Sequence, residues 1–129
     1  MMLNRKVLIV DDEIHIVHVV AIKLRSNGFE VITASNGQEA FETACEQPPD
    51  IIVTDLQMPI MDGLEFVGKL RQCEKTKEIP VIMLTGRSFT IEQEQKEQLR
   101  ISDCLGKPFS PKELLKKIED ILYQKAVTS

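Results

Sequence analysis

The chain has 129 residues, 43% hydrophobic and 28% charged, which excludes a disordered or fibrous protein and suits one globular domain that needs no disulfide or metal to hold a core. A net charge of −4 argues against the clustered Lys and Arg of a nucleic-acid surface, so no direct DNA binding by this domain is expected. The three cysteines, Cys45, Cys73 and Cys104, form no CxxC pair and read as reduced packing thiols; with no apolar run of transmembrane length and no room for a signal peptide before residue 6, a cytoplasmic protein without membrane association is expected.

Short apolar runs alternate with helical patterns along the chain. KVLIV at 6–10 predicts a first strand, and the pattern at 13–26 a helix that Gly28 should stop. On that helix Ile16, Val19, Val20 and Leu24 recur at helical spacing as the candidate buried stripe. Ile14, Val17 and Ala21 make a second apolar stripe where polar residues belong, which reads either as deeper burial or as a docking face. His15 and His18 lie three apart without a supporting ligand and read as helix surface.

EVITAS at 30–35 predicts the second strand and 37–46 a helix closed by Pro48 and Pro49. DIIVT at 50–54 predicts the third strand, with a helix near 63–72, and Met58 and Met61 between them read as local packing. PVIMLT at 80–85 predicts the fourth strand, followed by a helix near 90–100 whose EQEQKEQ run is a solvated face. The weaker SDCLGK at 102–107 predicts the fifth strand. The last helix, 111–124, has Ser110 as N-cap, Pro111 at its first position and Glu113 completing a capping box, with Leu114, Leu115, Ile118, Ile121 and Leu122 in one stripe. No linker or repeat divides the chain. Five strands alternating with five helices predict an α/β, doubly wound parallel sheet in one domain, 1–129, with a core of about 6–124.

In such sheets the ligand crevice lies at the carboxyl ends of the strands. Asp11, Asp12 and Glu13 follow the first strand, Asp55 the third, Thr85 and Gly86 end the fourth, and Lys107 ends the fifth. Several carboxylates in one crevice repel one another, and a hard divalent cation such as Mg²⁺ resolves the conflict. An ionised aspartate beside that metal can attack a phosphoryl group while a lysine and a hydroxyl neutralise its equatorial oxygens. The inventory supplies Asp55 as nucleophile, Asp11 and Asp12 for the metal, Lys107 as countercharge, Thr85 as hydroxyl donor and Gly86 as space for the incoming group.

VLIVDDE at 7–13, IIVTDLQMPIMDG at 51–63, VIMLTG at 81–86 and LGKPF at 105–109 resemble, in order and spacing, the receiver domains of two-component response regulators. The resemblance implies the flavodoxin-like strand order 2-1-3-4-5, the order of the chemotaxis member of this family. It implies Mg²⁺-dependent phosphoryl transfer to Asp55 from a phosphohistidine on a sensor histidine kinase or histidine phosphotransfer protein, switching the binding of a downstream effector protein or domain. It implies Asp12 as principal acidic metal ligand, Asp11 acting partly through water, the backbone carbonyl of Gln57 as a further ligand, and a cis Lys107–Pro108 bond. A phosphorylation-dependent homodimer is a further option. The implied role is a signalling phosphoacceptor, not a turnover enzyme.

Two departures from the family are visible. Cys104 stands where many receivers carry Tyr or Phe, and Arg100 and Ile101 replace a small Gly-Ala turn, so that the helix end needs another cap or must accept strain. An aspartate-nucleophile phosphatase would carry a second Asp where this chain has Gln57, and Asp11, Asp12 and Glu13 would repel the phosphate of a flavin mononucleotide. The remaining alternative is a receiver-like docking module that works without phosphorylation. The stretch from Gln124 to Ser129 reads as a short tail, consistent with a stand-alone regulator or with part of a longer chain.

Overall fold

The computed structural model describes residues 5–86 and 91–128. Five parallel strands, β1 (Lys6–Val10), β2 (Glu30–Ala34), β3 (Ile51–Asp55), β4 (Val81–Thr85) and β5 (Asp103–Gly106), lie in the order β2-β1-β3-β4-β5. They alternate with α1 (Ile14–Arg25), α2 (Gly37–Glu46), α3 (Gly63–Gln72), α4 (Gln93–Gln98) and α5 (Pro111–Thr128). The sheet is the one expected from the alternating pattern and the resemblance.

The central strands are apolar on both sides because both sides are covered. Val7, Ile9, Ile51, Val53, Ile82 and Leu84 pack under α1 and α5, where they meet Val20, Leu24, Leu114 and Ile118. Leu8, Val10, Ile52, Val81 and Met83 pack on the opposite face against Ala40, Ala44, Phe66, Val67 and Leu70 of α2 and α3. Val53 and Ile52 are wholly buried, each worth about 1.5–3 kcal/mol of transfer free energy, so a charge at either would remove more than its share of a marginal total stability.

Local signals set the helix ends. Ser110 Oγ accepts from Glu113 N–H at 3.1 Å while Glu113 Oε1 accepts from Ser110 N–H at 3.1 Å, the expected capping box. Asp62 and Glu65 form a second such box at the start of α3. Gly28 stops α1 at φ 91°, with its own N–H and that of Phe29 donating to the carbonyls of Arg25 and Leu24. The same closure recurs after α4, where Arg100 and Ile101 N–H donate to the carbonyls of Glu97 and Lys96. Without glycine, Arg100 takes φ 53° itself, so this helix end has both another cap and strain.

Some boundaries move. β3 begins and ends one residue later than expected, so Asp55 belongs to the strand and pairs with Leu84 instead of opening the loop. α4 is shorter than expected, and Thr90, taken as its start, lies outside the described residues. The tail after 124 continues α5 to Thr128, since no Gly or Pro follows Pro111 to interrupt it. On α1 the buried face is Val20, Ala21 and Leu24, with Ile16 and Val17 packed partly against the core. Val19, expected inside, is 51% exposed, and Ile14 and Ile22 are exposed with it. Val17, Val20, Ala21 and Leu24 follow an i, i+3, i+4, i+7 register, and the small Ala21 lets α1 lie close over the sheet.

Candidate functional site

The parallel register brings the strand ends to one rim. Val10 pairs with Thr54, so Asp11 and Asp55, each one residue further on, stand side by side; Thr85 pairs with Gly106, which sets Lys107 one residue beyond. Asp11 continues the β1–β2 ladder through its N–H to the Ala34 carbonyl at 3.2 Å, and its Oδ1 accepts from Glu13 N–H at 2.9 Å. Lys107 N–H donates to the Thr85 carbonyl at 2.7 Å, and the Lys107–Pro108 bond is cis, as the resemblance implied.

Two glycines shape the wall. A Cβ on Gly63 would lie 2.5 Å from the Asp55 carbonyl oxygen, and one on Gly37 would lie 2.5 Å from that of Met61. Both distances are below any real carbon–oxygen contact, so only glycine lets α3 and α2 approach the loop that follows Asp55. In that loop Met61 is buried and Met58 packs against the core, as local packing required.

Asp55 is 6% exposed and Asp11 2% exposed, whereas Asp12 is exposed. Lys107 Nζ donates to Glu13 Oε1 at 2.9 Å and stands 3.0 Å from Asp11 Oδ2 and 3.2 Å from Asp55 Oδ2. Burial raises the Asp55 carboxyl above its ordinary value and the Asp11 charge adds to this, with Lys107 pulling the other way. Burial alone would lower Lys107, but its contacts with Glu13, Asp11 and Asp55 outweigh that and hold the ammonium above its ordinary value. The lysine was legible as the countercharge; its share in Glu13, which follows the two aspartates in sequence, was not.

Asp11, Asp12 and Asp55 each offer a carboxylate oxygen within 4.8 Å of the others, and this is the sole such group of His, Cys, Asp or Glu found among the described residues. The span is close to the roughly 4 Å across a magnesium octahedron. Asp11 Oδ2 is buried and accepts no hydrogen bond, its charged contact being the Lys107 ammonium at 3.0 Å. A buried carboxylate oxygen that accepts no hydrogen bond, on a residue grouped with two further carboxylates, fits a hard cation. Asp12, Glu13, Asp55, Gln57, Gly86 and Lys107 share the walls of an open cleft of about 570 Å³. Thr85 is half-buried at the end of β4, next to Gly86 on the cleft wall.

A doubly wound sheet with an acidic crevice at its strand ends and a lysine facing a buried aspartate defines a flavodoxin-like receiver. The profile described as the response regulator receiver domain matches residues 7–119, and the chain belongs to that family: it is a phosphoacceptor receiver domain of two-component signalling. It is 36% identical over 127 residues to the alkaline phosphatase synthesis transcriptional regulatory protein PhoP of Bacillus subtilis, covering 98% of this chain and 52% of that protein. Against the phosphate regulon transcriptional regulatory protein PhoB of Pseudomonas aeruginosa it is 35% identical over 121 residues, covering 94% and 53%. The chain thus spans about half the length of the curated relatives it matches. Among solved structures, the chemotaxis response regulator CheY4 of Vibrio cholerae superposes with a TM-score of 0.85 at 36% identity, covering 92% of this chain and 99% of that one. The receiver domain of sensor histidine kinase PA1611 from Pseudomonas aeruginosa, solved with a magnesium ion coordinated in its active-site cleft, superposes with a TM-score of 0.82 at 28% identity, covering 93% and 98%.

Proposed function

We propose that Asp55 is the phosphoryl acceptor of this receiver, that Asp11, Asp12, Asp55 and the Gln57 backbone carbonyl hold Mg²⁺, and that Lys107 and Thr85 serve the phosphoryl oxygens. The observation that carries this is the placement of a buried aspartate 3.2 Å from a half-buried lysine beside two further carboxylates at one sheet rim. When bound, the metal neutralises charge on the attacking carboxylate and on the transferred group. Burial on β3 holds Asp55 in place where it lines the open cleft. Lys107 can exchange its exposed partner Glu13 for a phosphoryl oxygen without losing its two buried partners, which makes it a countercharge already in place.

The donor in this reading is a phosphohistidine on a sensor histidine kinase or histidine phosphotransfer protein. Beside the cleft, Ile16, Val19, Val20, Pro108, Phe109 and Pro111 line a mainly apolar groove of about 600 Å³ that suits a partner helix. The downstream partner is an effector protein or domain, and the chain is a single receiver unit acting in the cytoplasm, where no helix among the described residues is long and apolar enough to cross a membrane. Its chemistry is acceptance and loss of a phosphoryl group on itself, without turnover of a substrate. A docking module independent of phosphorylation has no observation in its favour, since every acceptor group is present.

Acetyl phosphate with Mg²⁺ should add about 80 Da, one HPO₃, to the intact protein as an acid-labile group on the acyl oxygen. The same adduct on Asp55→Asn would overturn the assignment.

A further inference from the structure

Cys45 and Cys73 are 28 residues apart in sequence, yet their sulfurs lie 3.8 Å apart. Cys45 is the penultimate residue of α2, and Cys73 caps the end of α3 in extended backbone, φ −106° and ψ 129°. Both are half-exposed and neither belongs to the two buried clusters, so core packing does not account for them. A zinc site would need further ligands, and no group of three His, Cys, Asp or Glu includes either cysteine among the described residues. What remains is the chemistry of two adjacent, accessible thiols.

We propose that Cys45 and Cys73 are a redox-active dithiol that low-molecular-weight disulfides oxidise to an intramolecular disulfide joining α2 to α3. A disulfide bond of about 2.05 Å requires the sulfurs to close by less than about 2 Å, which side-chain torsions can supply. The two thiols are unequal. The backbone N–H of Lys75 and the hydroxyl of Thr76 draw Cys73 below its ordinary value, while burial and the contact with Cys73 push Cys45 up. Cys73 is therefore the attacking thiolate and Cys45 the resolving thiol. The Cys73 thiolate attacks one sulfur of RSSR, forming a mixed disulfide and expelling RS⁻. Cys45 then loses its proton and attacks the Cys73 sulfur, expelling a second RS⁻. Both leaving thiolates take up protons, so the net change is two protein thiols oxidised and one RSSR reduced to two RSH. Cys104, pushed up by burial and without a sulfur partner among the described contacts, lacks this route.

The ten residues of α3 carry Cys73 about 15 Å from the Gly63 end that abuts Asp55, so the bridge ties the two helices at the pole away from the cleft. It leaves the carboxylates and Lys107 untouched.

The test incubates the native protein with oxidised glutathione and follows intact mass and a non-reducing peptide map. The expected product is lighter by about 2 Da, with a Cys45–Cys73 linked peptide and Cys104 still open to alkylation. In Cys45→Ser the reaction should stop at a glutathione adduct on Cys73. A native protein that keeps all three thiols, that carries stable glutathione at Cys45 or Cys73, that bridges through Cys104, or that links two chains would overturn the proposal.

Discussion

Gly63 lies so close to Asp55 that a methyl group on its Cα would come within 2.5 Å of the Asp55 carbonyl oxygen, with the Met83 sulfur at 2.9 Å. The first turn of α3 therefore gauges the position of Asp55, the proposed acceptor. Gly63→Ala should move the strand end or the helix, slowing phosphorylation by a small phosphodonor about tenfold or more and costing about 1–3 kcal/mol of stability. Gly68, on the same helix, has no neighbour within 4 Å of a Cβ, so Gly68→Ala should instead gain about 0.5–1 kcal/mol with unchanged labelling. Labelling rates and thermal melts of the two variants, side by side, decide the matter; equal behaviour would show that the contact does not constrain the site.

Asp55 titrates above its ordinary value of 3.8 in the folded protein, chiefly through burial. The folded state therefore binds a proton where the unfolded state has released it, and this residue lowers stability as pH rises from about 3.8 through the raised value, with the whole penalty present above it. Lys107, raised above 10.5, contributes fully throughout that range and does not change the sign. Without metal, Asp55→Asn should melt higher than the parent at neutral pH, and the gap should close as pH falls toward 3.8. A gap independent of pH, or reversed, would mean that the ion pair with Lys107 outweighs burial.

Magnesium bound by the folded protein alone stabilises by mass action, about 2.7 kcal/mol at a hundredfold excess over Kd. Added Mg²⁺ should raise the melting temperature at low salt, and Asp12→Ala, which removes the exposed carboxylate of the proposed site, should abolish most of the rise. Identical melts in chelator and in saturating Mg²⁺ would remove the aspartates as a metal site.

Arg100 closes α4 at φ 53°, a conformation that costs a side-chain-bearing residue about 1–2 kcal/mol. Its ion pair with Glu78 is exposed on both sides and worth little. Arg100→Gly should gain about 0.5–1 kcal/mol in denaturant titration after the added freedom of the unfolded chain is subtracted. The turn itself is held independently by Arg71, whose guanidinium donates to the carbonyls of Leu99 and Arg100 at 2.8 and 3.2 Å, so the variant should keep its fold. A net loss would show that the Arg100 side chain contributes more than its backbone costs.

Val19 is 51% exposed on the groove beside the cleft. Val19→Glu should slow phosphotransfer from a cognate histidine donor, by tenfold for each 1.4 kcal/mol of lost docking, while leaving labelling by acetyl phosphate unchanged. Val17, half-buried against the core, does not separate docking from folding. Equal loss of both rates for Val19→Glu would indicate damage to the fold, and no loss of either would remove this face from the interface.

The strand runs were legible because strands covered on both faces must be nearly all apolar, as Ile51, Ile52 and Val53 of β3 and Val81 to Leu84 of β4 are. The face of α1 was harder. With Ile14, Ile16, Val17, Val19, Val20, Ala21 and Ile22 all apolar, periodicity admits two registers, and only packing against β1, β2 and α5 selects Val17, Val20, Ala21 and Leu24. The end of α5 was underestimated because helix continuation after the last core residue depends on the absence of a breaker more than on any apolar signal.

By itself the sequence determined the alternating α/β order and which side chains stand at the strand ends, because a strand's carboxyl end is a local event: Asp11, Asp55, Thr85 and Lys107 each lie at or just past the end of an apolar run. Distances across the chain were decided by the tertiary structure. The parallel register sets Lys107 between Asp11, Asp55 and an unforeseen Glu13, and the packing of α2 on α3 brings Cys45 to Cys73 across 28 residues. Neither pairing has a signature in sequence spacing, since contacts made through the sheet order and through helices sharing one face depend on how the whole chain closes on its core.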